Sequence, residues 1–270
     1  MDFADKTVVI TGGASGIGAA LAELLVEKGA RVALADRNIE AVQEAASRIG
    51  CMGFYCDVAE ETQILTLLGS VQKELGEVDC FVSNAGVFDS QPSHVGSASN
   101  EDWSRNWCVH VMAHVYAARA LLPQMLKRGS GYFVNVTSAA GLLNQIENAA
   151  YSATKHAAVS FAESLAITHG DAGIGVSLVC PQYVATPLIG LTDQDAKASA
   201  GLLTSAQVAE SIVVGVEANQ FLILPHPEVA NFAQRRAQDH DGWISGMQRM
   251  RKTAVSKLGR ASIADLYKII

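Results

Sequence analysis

Three side chains near the middle of this sequence have the types and spacing to move a proton. Ser138 stands where an alternating apolar run, residues 132–136, has just ended. Tyr151 and Lys155 stand beyond it, four residues apart at the head of an Ala-rich segment that reads as a helix. At that spacing two side chains share one helix face. A free phenol ionises near about pH 10, too high for useful proton transfer at neutrality. An ammonium beside it favours the phenolate and lowers that value. A serine hydroxyl facing the same point could hydrogen-bond a substrate oxygen. Such a set suits proton transfer to or from an alcohol or carbonyl oxygen. The same residues also suit a plain helix start with a tyrosine packed on a lysine stem, so the surrounding elements must decide.

Those elements alternate. Residues 6–11 form a β-branched run that ends in the turn Thr11-Gly12-Gly13-Ala14-Ser15-Gly16-Ile17-Gly18. Helical spacing follows through Ile17, Leu21, Leu24 and Leu25 to Gly29, and a second strand, 31–35, ends at Asp36. Strand, glycine turn, helix, strand and acid make the first unit of a dinucleotide-binding fold. The glycines let backbone approach a pyrophosphate at the positive end of a helix. Asp36 is placed to accept hydrogen bonds from ribose hydroxyls and would repel a 2′-phosphate. The same stretch would also suit a purely structural strand–helix connection.

Further strands are expected at 53–56 (closing at Asp57), 79–83 (followed by Asn84-Ala85-Gly86), 132–136, 175–180 and 221–224. Helices are expected at 39–49, 60–75, 101–127 with Asn100 as its cap, from Tyr151 onward, at 205–218, and at 228–251 with a break at Asp241-Gly242. Between them lie a polar loop from Gln91 to Asn100 and a lid-like stretch, 188–203. Small residues where strands end suit ligand passage, because open α/β sheets bind ligands at that edge. The expected fold class is therefore α/β, one doubly wound parallel sheet of about seven strands with helices on both faces.

Bulk properties agree with one large domain. The chain has 270 residues, 49% apolar and 17% charged, enough to bury a sizeable core. A net charge of −7 argues against a nucleic-acid surface. No apolar run approaches a membrane span, and the acidic start lacks a signal-peptide pattern. Five scattered cysteines without a CxxC pair read as reduced thiols. The expectation is a soluble cytoplasmic protein that binds neither nucleic acid nor membrane.

With these motifs in order, the chain resembles the short-chain dehydrogenase/reductase family in its one-domain, Rossmann-type form, over about residues 5–225. Thr11 to Gly18 matches the family's TGxxxGxG, Asp36 the acid that accompanies NAD preference, and Asp57-Val58 the pair flanking the adenine ring. Asn84-Ala85-Gly86 matches its NAG motif, and Ser138, Tyr151 and Lys155 match its catalytic serine and YxxxK. Pro181 to Pro187 matches PGxVxTP, with Gln182 in place of the glycine. The resemblance implies that Gly12, Ser15, Gly16, Ile17, Gly18, Asp36, Asp57, Val58, Asn84, Ala85, Gly86, Tyr151, Lys155, Val184 and Thr186 hold NAD. It implies that Tyr151 is the general acid/base, that Lys155 lowers its pKa and holds the nicotinamide ribose, and that Ser138 fixes the substrate oxygen. It also implies a homodimer or homotetramer. Residues 1–250 would form the catalytic domain and 251–270 a tail or oligomer contact.

One position departs from the family. His110 stands where relatives carry an asparagine that helps hold a water linked to the lysine; it is expected to keep that relay as the fourth catalytic residue, the alternatives being that it weakens catalysis or is simply packed. His110 and His114 have a spacing that can bind metal, but a HExxH glutamate and a third ligand are missing, so helix packing is the better reading. Arg37 follows Asp36 and can favour a 2′-phosphate, whereas Ser15 occupies a position that is basic in many NADP users, so NAD is expected. Leu142, Leu143, Leu188, Ile189, Leu202 and Trp243 are candidates for an apolar substrate wall. The function expected is an NAD-dependent oxidoreductase for a hydrophobic secondary alcohol or ketone. The alternatives are a sugar-nucleotide epimerase or dehydratase, which would want a larger C-terminal domain, and a catalytically silent nucleotide sensor, which would not need Tyr151 or Lys155.

Overall fold

β-Branched and apolar runs with no polar alternation belong in parallel strands covered on both faces, and the computed structural model places them there. It describes residues 1–270 except 90–93, 198, 200, 260, 262, 269 and 270. The opening of the polar loop at Gln91 and parts of the 188–203 stretch and of the 251–270 tail lie outside the described residues. The chain runs β1 (Thr7–Thr11), α1 (Gly16–Glu27), β2 (Arg31–Asp36), α2 (Ile39–Ile49), β3 (Met52–Tyr55), α3 (Glu61–Leu75) and β4 (Cys80–Ser83). There follow α4 (Asn100–Trp107), a π turn (Cys108–Met112), α5 (Ala113–Arg128), β5 (Gly131–Val136), α6 (Ala140–Leu143), α7 (Ala149–His169) and β6 (Ile174–Val179). The C-terminal part contains β7 (Val184–Ala185), α8 (Asp193–Lys197), β8 (Leu203–Thr204), α9 (Ser205–Glu217), β9 (Leu222–Ile223), α10 (Glu228–Gln238), α11 (His240–Leu258) and α12 (Ile263–Leu266).

The main sheet is parallel, in the order β3-β2-β1-β4-β5-β6-β9. β1 pairs with both β2 and β4, so the strand order reverses there, and the loops after β1 and β4 open a crevice at the carboxyl edge. One face packs on Leu21 and Leu25 of α1, Val42 of α2, and Val208 and Ile212 of α9. The other packs on Ile64 and Leu67 of α3, Ala117 and Leu121 of α5, and Val159 and Ala162 of α7. The expected doubly wound α/β sheet is therefore present. No helix among the described residues is long and apolar enough to cross a membrane.

Three local expectations change. Ser99, not Asn100, caps α4: its hydroxyl accepts from the Asp102 N–H at 3.0 Å and Asp102 bonds back to the Ser99 N–H at 3.3 Å, a reciprocal capping box. The helix read as continuous over 101–127 carries the π turn, and Val109, His110 and Val111 are all buried there. The break expected at Asp241-Gly242 falls at Asp239, whose carboxylate accepts from the Gly242 N–H at 2.9 Å and starts α11. In the 188–203 stretch, β7 pairs with β8 and α8 lies between them. α11 is continuous across residues 250 and 251, and Ala254, Leu266 and Tyr267 pack on Tyr183, Ala185 and Leu202.

One polar pair joins the long helix to the sheet inside the apolar layer. His114 on α5 is buried, and its Nδ1 lies 2.8 Å from the Asn135 Oδ1 of β5. Burial, reinforced by the charge of Lys155, lowers the His114 pKa from 6.5 to about 4. His110 is lowered as well, first by burial and then by Lys155. The unfolded chain therefore binds more protons than the folded one between pH 6.5 and 4, so stability falls as pH falls through that window. For His114 alone the effect is on the order of 3 kcal/mol. The cofactor-free protein should lose roughly 5–10 °C of thermal midpoint between pH 6.5 and 4 from this source. His114→Gln should flatten that dependence, read by calorimetry; an unaltered slope would show that His114 is not the group responsible.

Candidate active site

The glycine turn after β1 is shaped by close backbone approach. Gly12 has φ +63°, and a Cβ there would meet the Ala85 Cα at 2.8 Å. A Cβ on Gly18 would meet the Gly12 carbonyl oxygen at 2.4 Å. Asn84 fastens this turn to the end of β4, its Nδ2 donating to the Thr11 and Gly12 carbonyls at 2.8 and 3.1 Å. The Thr11 hydroxyl in turn accepts from the Asn84 and Ala85 N–H groups and donates to the Val82 carbonyl. The turn delivers the N-terminus of α1 to the crevice, with Ser15 extended before it and making no side-chain cap. Unbonded N–H groups at a helix start attract anions. Across the turn, the Asp36 carboxylate accepts from the Ala14 and Asn38 N–H groups at 3.3 and 3.0 Å, which aims it at the same crevice.

A cavity of about 240 Å³ brings together Gly12, Ser15, Gly16, Ile17, Asp36, Asn84, Ala85, Gly86, Ser138, Tyr151, Lys155, Val184 and Thr186. A smaller one of about 90 Å³ adds Asp57 and Val58 beside Asp36 and Arg37, and shares Gly12, Ala85 and Gly86. Gly18 and His110 line neither; Gly18 acts through packing of the turn and His110 from behind the wall. An open cleft with a helix N-terminus in its middle, a carboxylate on one side and a lysine on the other fits a dinucleotide. Leu188 and Ile189, expected on a substrate wall, border this cleft. Leu202 is buried in the C-terminal cluster, and Leu142 packs against the core.

Asn148 starts α7 by accepting from the Tyr151 N–H at 3.1 Å, while its Nδ2 donates to the Asp89 carbonyl at 2.7 Å. This cap was missed in the sequence, although an asparagine three residues before the tyrosine is an N-cap signal. It fixes where the phenol stands. The Ser138 Oγ accepts from the Ala140 N–H at 3.1 Å and hydrogen-bonds the Tyr151 phenol. The Tyr151 ring is packed edge-on against Phe88 and His110, with centroids 5.1 and 5.3 Å away. The Lys155 Nζ lies 5.5 Å from the ring centroid and 3.5 Å from the Val136 carbonyl oxygen.

Burial governs both ionisations in the protein without cofactor. It pushes the Tyr151 pKa above its usual value, with the Ser138 bond working the other way. It brings Lys155 from 10.5 down to about 8. The simple expectation that the lysine charge lowers the phenol pKa thus meets an opposing desolvation cost. His110 is held on both sides. The Val87 N–H donates to its Nε2 at 3.1 Å, and its Nδ1 lies 2.9 Å from the Thr154 Oγ1, which bonds the Ala150 carbonyl at 2.9 Å. This pattern assigns the neutral tautomer with the proton on Nδ1.

A second cavity, about 770 Å³, meets the first at Ser138 and Gln182. Its walls include Leu143, Ile146, Phe232, Trp243, Met247 and Met250. Two of the residues expected to line a substrate pocket, Leu143 and Trp243, are there. Of α10 and α11 the sequence pointed only to Trp243; the rest of their contribution was not legible, because their spacing gives no sign of which loop they cover.

The family model for short chain dehydrogenase matches residues 6–197. The chain is 29% identical over 248 residues to D-beta-hydroxybutyrate dehydrogenase of Rhizobium meliloti, covering 89% of this chain and 95% of the relative. It is 33% identical over 204 residues to cis-4-hydroxycyclohexanecarboxylate dehydrogenase of Sinomonas cyclohexanicum, covering 73% and 80%. A Burkholderia phymatum short chain dehydrogenase/reductase solved in complex with NAD superposes with a TM-score of 0.80 at 28% identity, covering 89% of this chain and 96% of that one. A Sphingobium yanoikuyae short-chain dehydrogenase in complex with NADPH, 24% identical with a TM-score of 0.74 over 90% and 95% of the two chains, shares the fold. With the glycine turn, the Ser–Tyr–Lys set and these matches in agreement, the chain belongs to the short-chain dehydrogenase/reductase family of oxidoreductases.

Proposed function

We propose that the protein transfers a hydride between NAD and a secondary alcohol or ketone with a hydrophobic body, using Tyr151 as general acid/base. The observation that carries this reading is the position of the Ser138–Tyr151 pair. Both residues border the cofactor-shaped cleft, and Ser138 also borders the 770 Å³ cavity, so a carbinol group entering from that side reaches both hydroxyls.

The nicotinamide cofactor, when bound, supplies the hydride acceptor or donor. The residues of this chain do the rest. The Ser138 Oγ accepts from the Ala140 N–H with one lone pair, and beside the Tyr151 phenol its O–H can turn to orient the substrate oxygen. Tyr151 takes the hydroxyl proton during oxidation and returns it during reduction. Lys155 holds positive charge near the phenolate that forms, and the low-polarity surroundings strengthen that attraction. Asp36 supports NAD over NADP, since a carboxylate beside Ala14 would repel a 2′-phosphate more than Arg37 attracts it. His110 takes the asparagine's place in the proton relay of Lys155. Its ring nitrogens hold Val87 and Thr154, so it acts by keeping the π turn and the start of α7 in register rather than by titrating.

With a panel of apolar secondary alcohols, reduced cofactor should accumulate. Tyr151→Phe should lower kcat by about 10³-fold or more while cofactor affinity stays within a few-fold; retained turnover would refute the assigned base. The wild-type kcat/KM should be at least about tenfold higher with NAD than with NADP, and the reverse ranking would sink the Asp36 argument. His110→Asn should keep the wild-type pH–rate profile, whereas His110→Ala should displace it; unchanged profiles in both would remove His110 from the relay.

A further inference from the structure

The large cavity is far roomier than a small alcohol needs, and its lining includes two exposed arginines with no carboxylate partner among the described residues. Resting on the hydride-transfer reading above, we infer that the substrate bears a carboxylate at the end remote from its hydroxyl, and that Arg235 and Arg249 bind it. A volume of about 770 Å³ is that of a site for a drug-sized ligand. The stretch from α6 onward gives neutral lining, with Leu143 and Ile146 beside Asn144 and Gln145. α10 and α11 add Arg235 and Arg249, both solvent-exposed, to the same lining.

Neither guanidinium has a carboxylate or carbonyl acceptor among the described residues. Arg235 folds back over the Phe232 ring, 5.1 Å from its centroid, and Phe232 in turn lies 6.5 Å from Trp243 on the cavity wall. The aromatic face fixes the guanidinium while leaving its N–H donors unused. The Arg249 side chain returns along α11 toward Gly246, where a Cβ would come within 3.8 Å of its Nη2. By contrast Arg251, two residues on, pairs with Glu147 at 2.9 Å. The acid in this lining, Asp239, already accepts from the Gly242 N–H as the cap of α11, and two arginines against one aspartate leave the wall positive.

A helix dipole accounts for a cation in the last turn of α10, where Arg235 stands. It does not account for Arg249, which lies before the last turn of α11. In a chain whose net charge is −7, two guanidiniums that line one cavity without a carboxylate partner among the described residues mark a place for an anion. Guanidinium forks match carboxylates bidentately. The apolar side chains that share the cavity with Ser138 match a hydrocarbon body. The substrate class is therefore a hydroxy or oxo acid with an extended apolar middle.

The test uses full-length protein with NAD and matched pairs of secondary alcohols of increasing chain length, each as the ω-carboxylate and as its methyl ester. Initial rates give KM, and quenching of tryptophan fluorescence gives affinity independently of turnover. The carboxylate should bind at least tenfold more tightly than its ester at the best chain length. In Arg235→Gln/Arg249→Gln that ratio should fall to near one, with the ester serving as the internal control for folding. Equal affinity for acid and ester in the wild type, or a ratio that survives in the double variant, overturns the inference. Turnover of neutral alcohols without an acid preference overturns it while leaving the hydride-transfer reading intact. An acid preference in binding that the double variant loses, with no turnover of any alcohol, supports it and overturns that reading instead.

Discussion

A lysine ammonium held inside the protein sets the terms for the rest of the site. Lys155 is 4% exposed, and taking an ammonium out of water costs several kcal/mol unless neighbours compensate. Among the described residues its ammonium makes one hydrogen bond, a long one to the Val136 carbonyl, and burial brings its pKa down to about 8. The same low-polarity setting raises the Tyr151 phenol. A buried cation beside a buried phenol therefore stores an attraction realised only when the phenol ionises. That is the condition under which a fixed charge aids a transition state more than a ground state. His110 must stay neutral so close to this charge, and its two hydrogen bonds hold it in that form.

That arrangement is affordable only on a rigid frame. Parallel strands buried on both faces end at one edge, and the reversal of strand order between β2 and β4 opens a crevice between two loops there. Thr11 and Asn84 tie those loops together through side chain to backbone bonds, so glycine turn and strand end move as a unit. The contact of Gly18 with Gly12 then fixes how α1 leaves the turn. The glycine turn and α7 are thus held by the same sheet.

The C-terminal third builds the other half of the enzyme. α10 and α11 lie over α6, with Phe232 and Trp243 packed near Leu143 and Ala139. Beyond α11, Leu266 and Tyr267 return to the strip between β7 and β8. The large cavity exists because these helices bridge outward from the sheet rather than adding to it. Its chemistry is consequently independent of the cofactor cleft, although Ser138 and Gln182 belong to both.

Much of this was legible in the sequence. Strand runs, glycine turn, terminal acid and the Tyr151–Lys155 spacing are local patterns, governed by backbone sterics and by which face of an element must be apolar. Such patterns determined the α/β class and the place of each strand of the main sheet to within a residue or two, but not the small β7–β8 pair. What tertiary structure alone decided has a different origin. The π turn sits in a run, Cys108 to Met112, with no helical period to betray it. Choosing Ser99 over Asn100 as the cap depends on one reciprocal bond to Asp102. His110 could be placed opposite the family asparagine, but its partners Val87 and Thr154 lie 23 and 44 residues away and meet it only once α5, α7 and the end of β4 have packed. Arg235 and Arg249 face one cavity for the same reason. Spacing fixes which residues share an element, whereas burial and the pairing of distant polar groups fix which elements share a site.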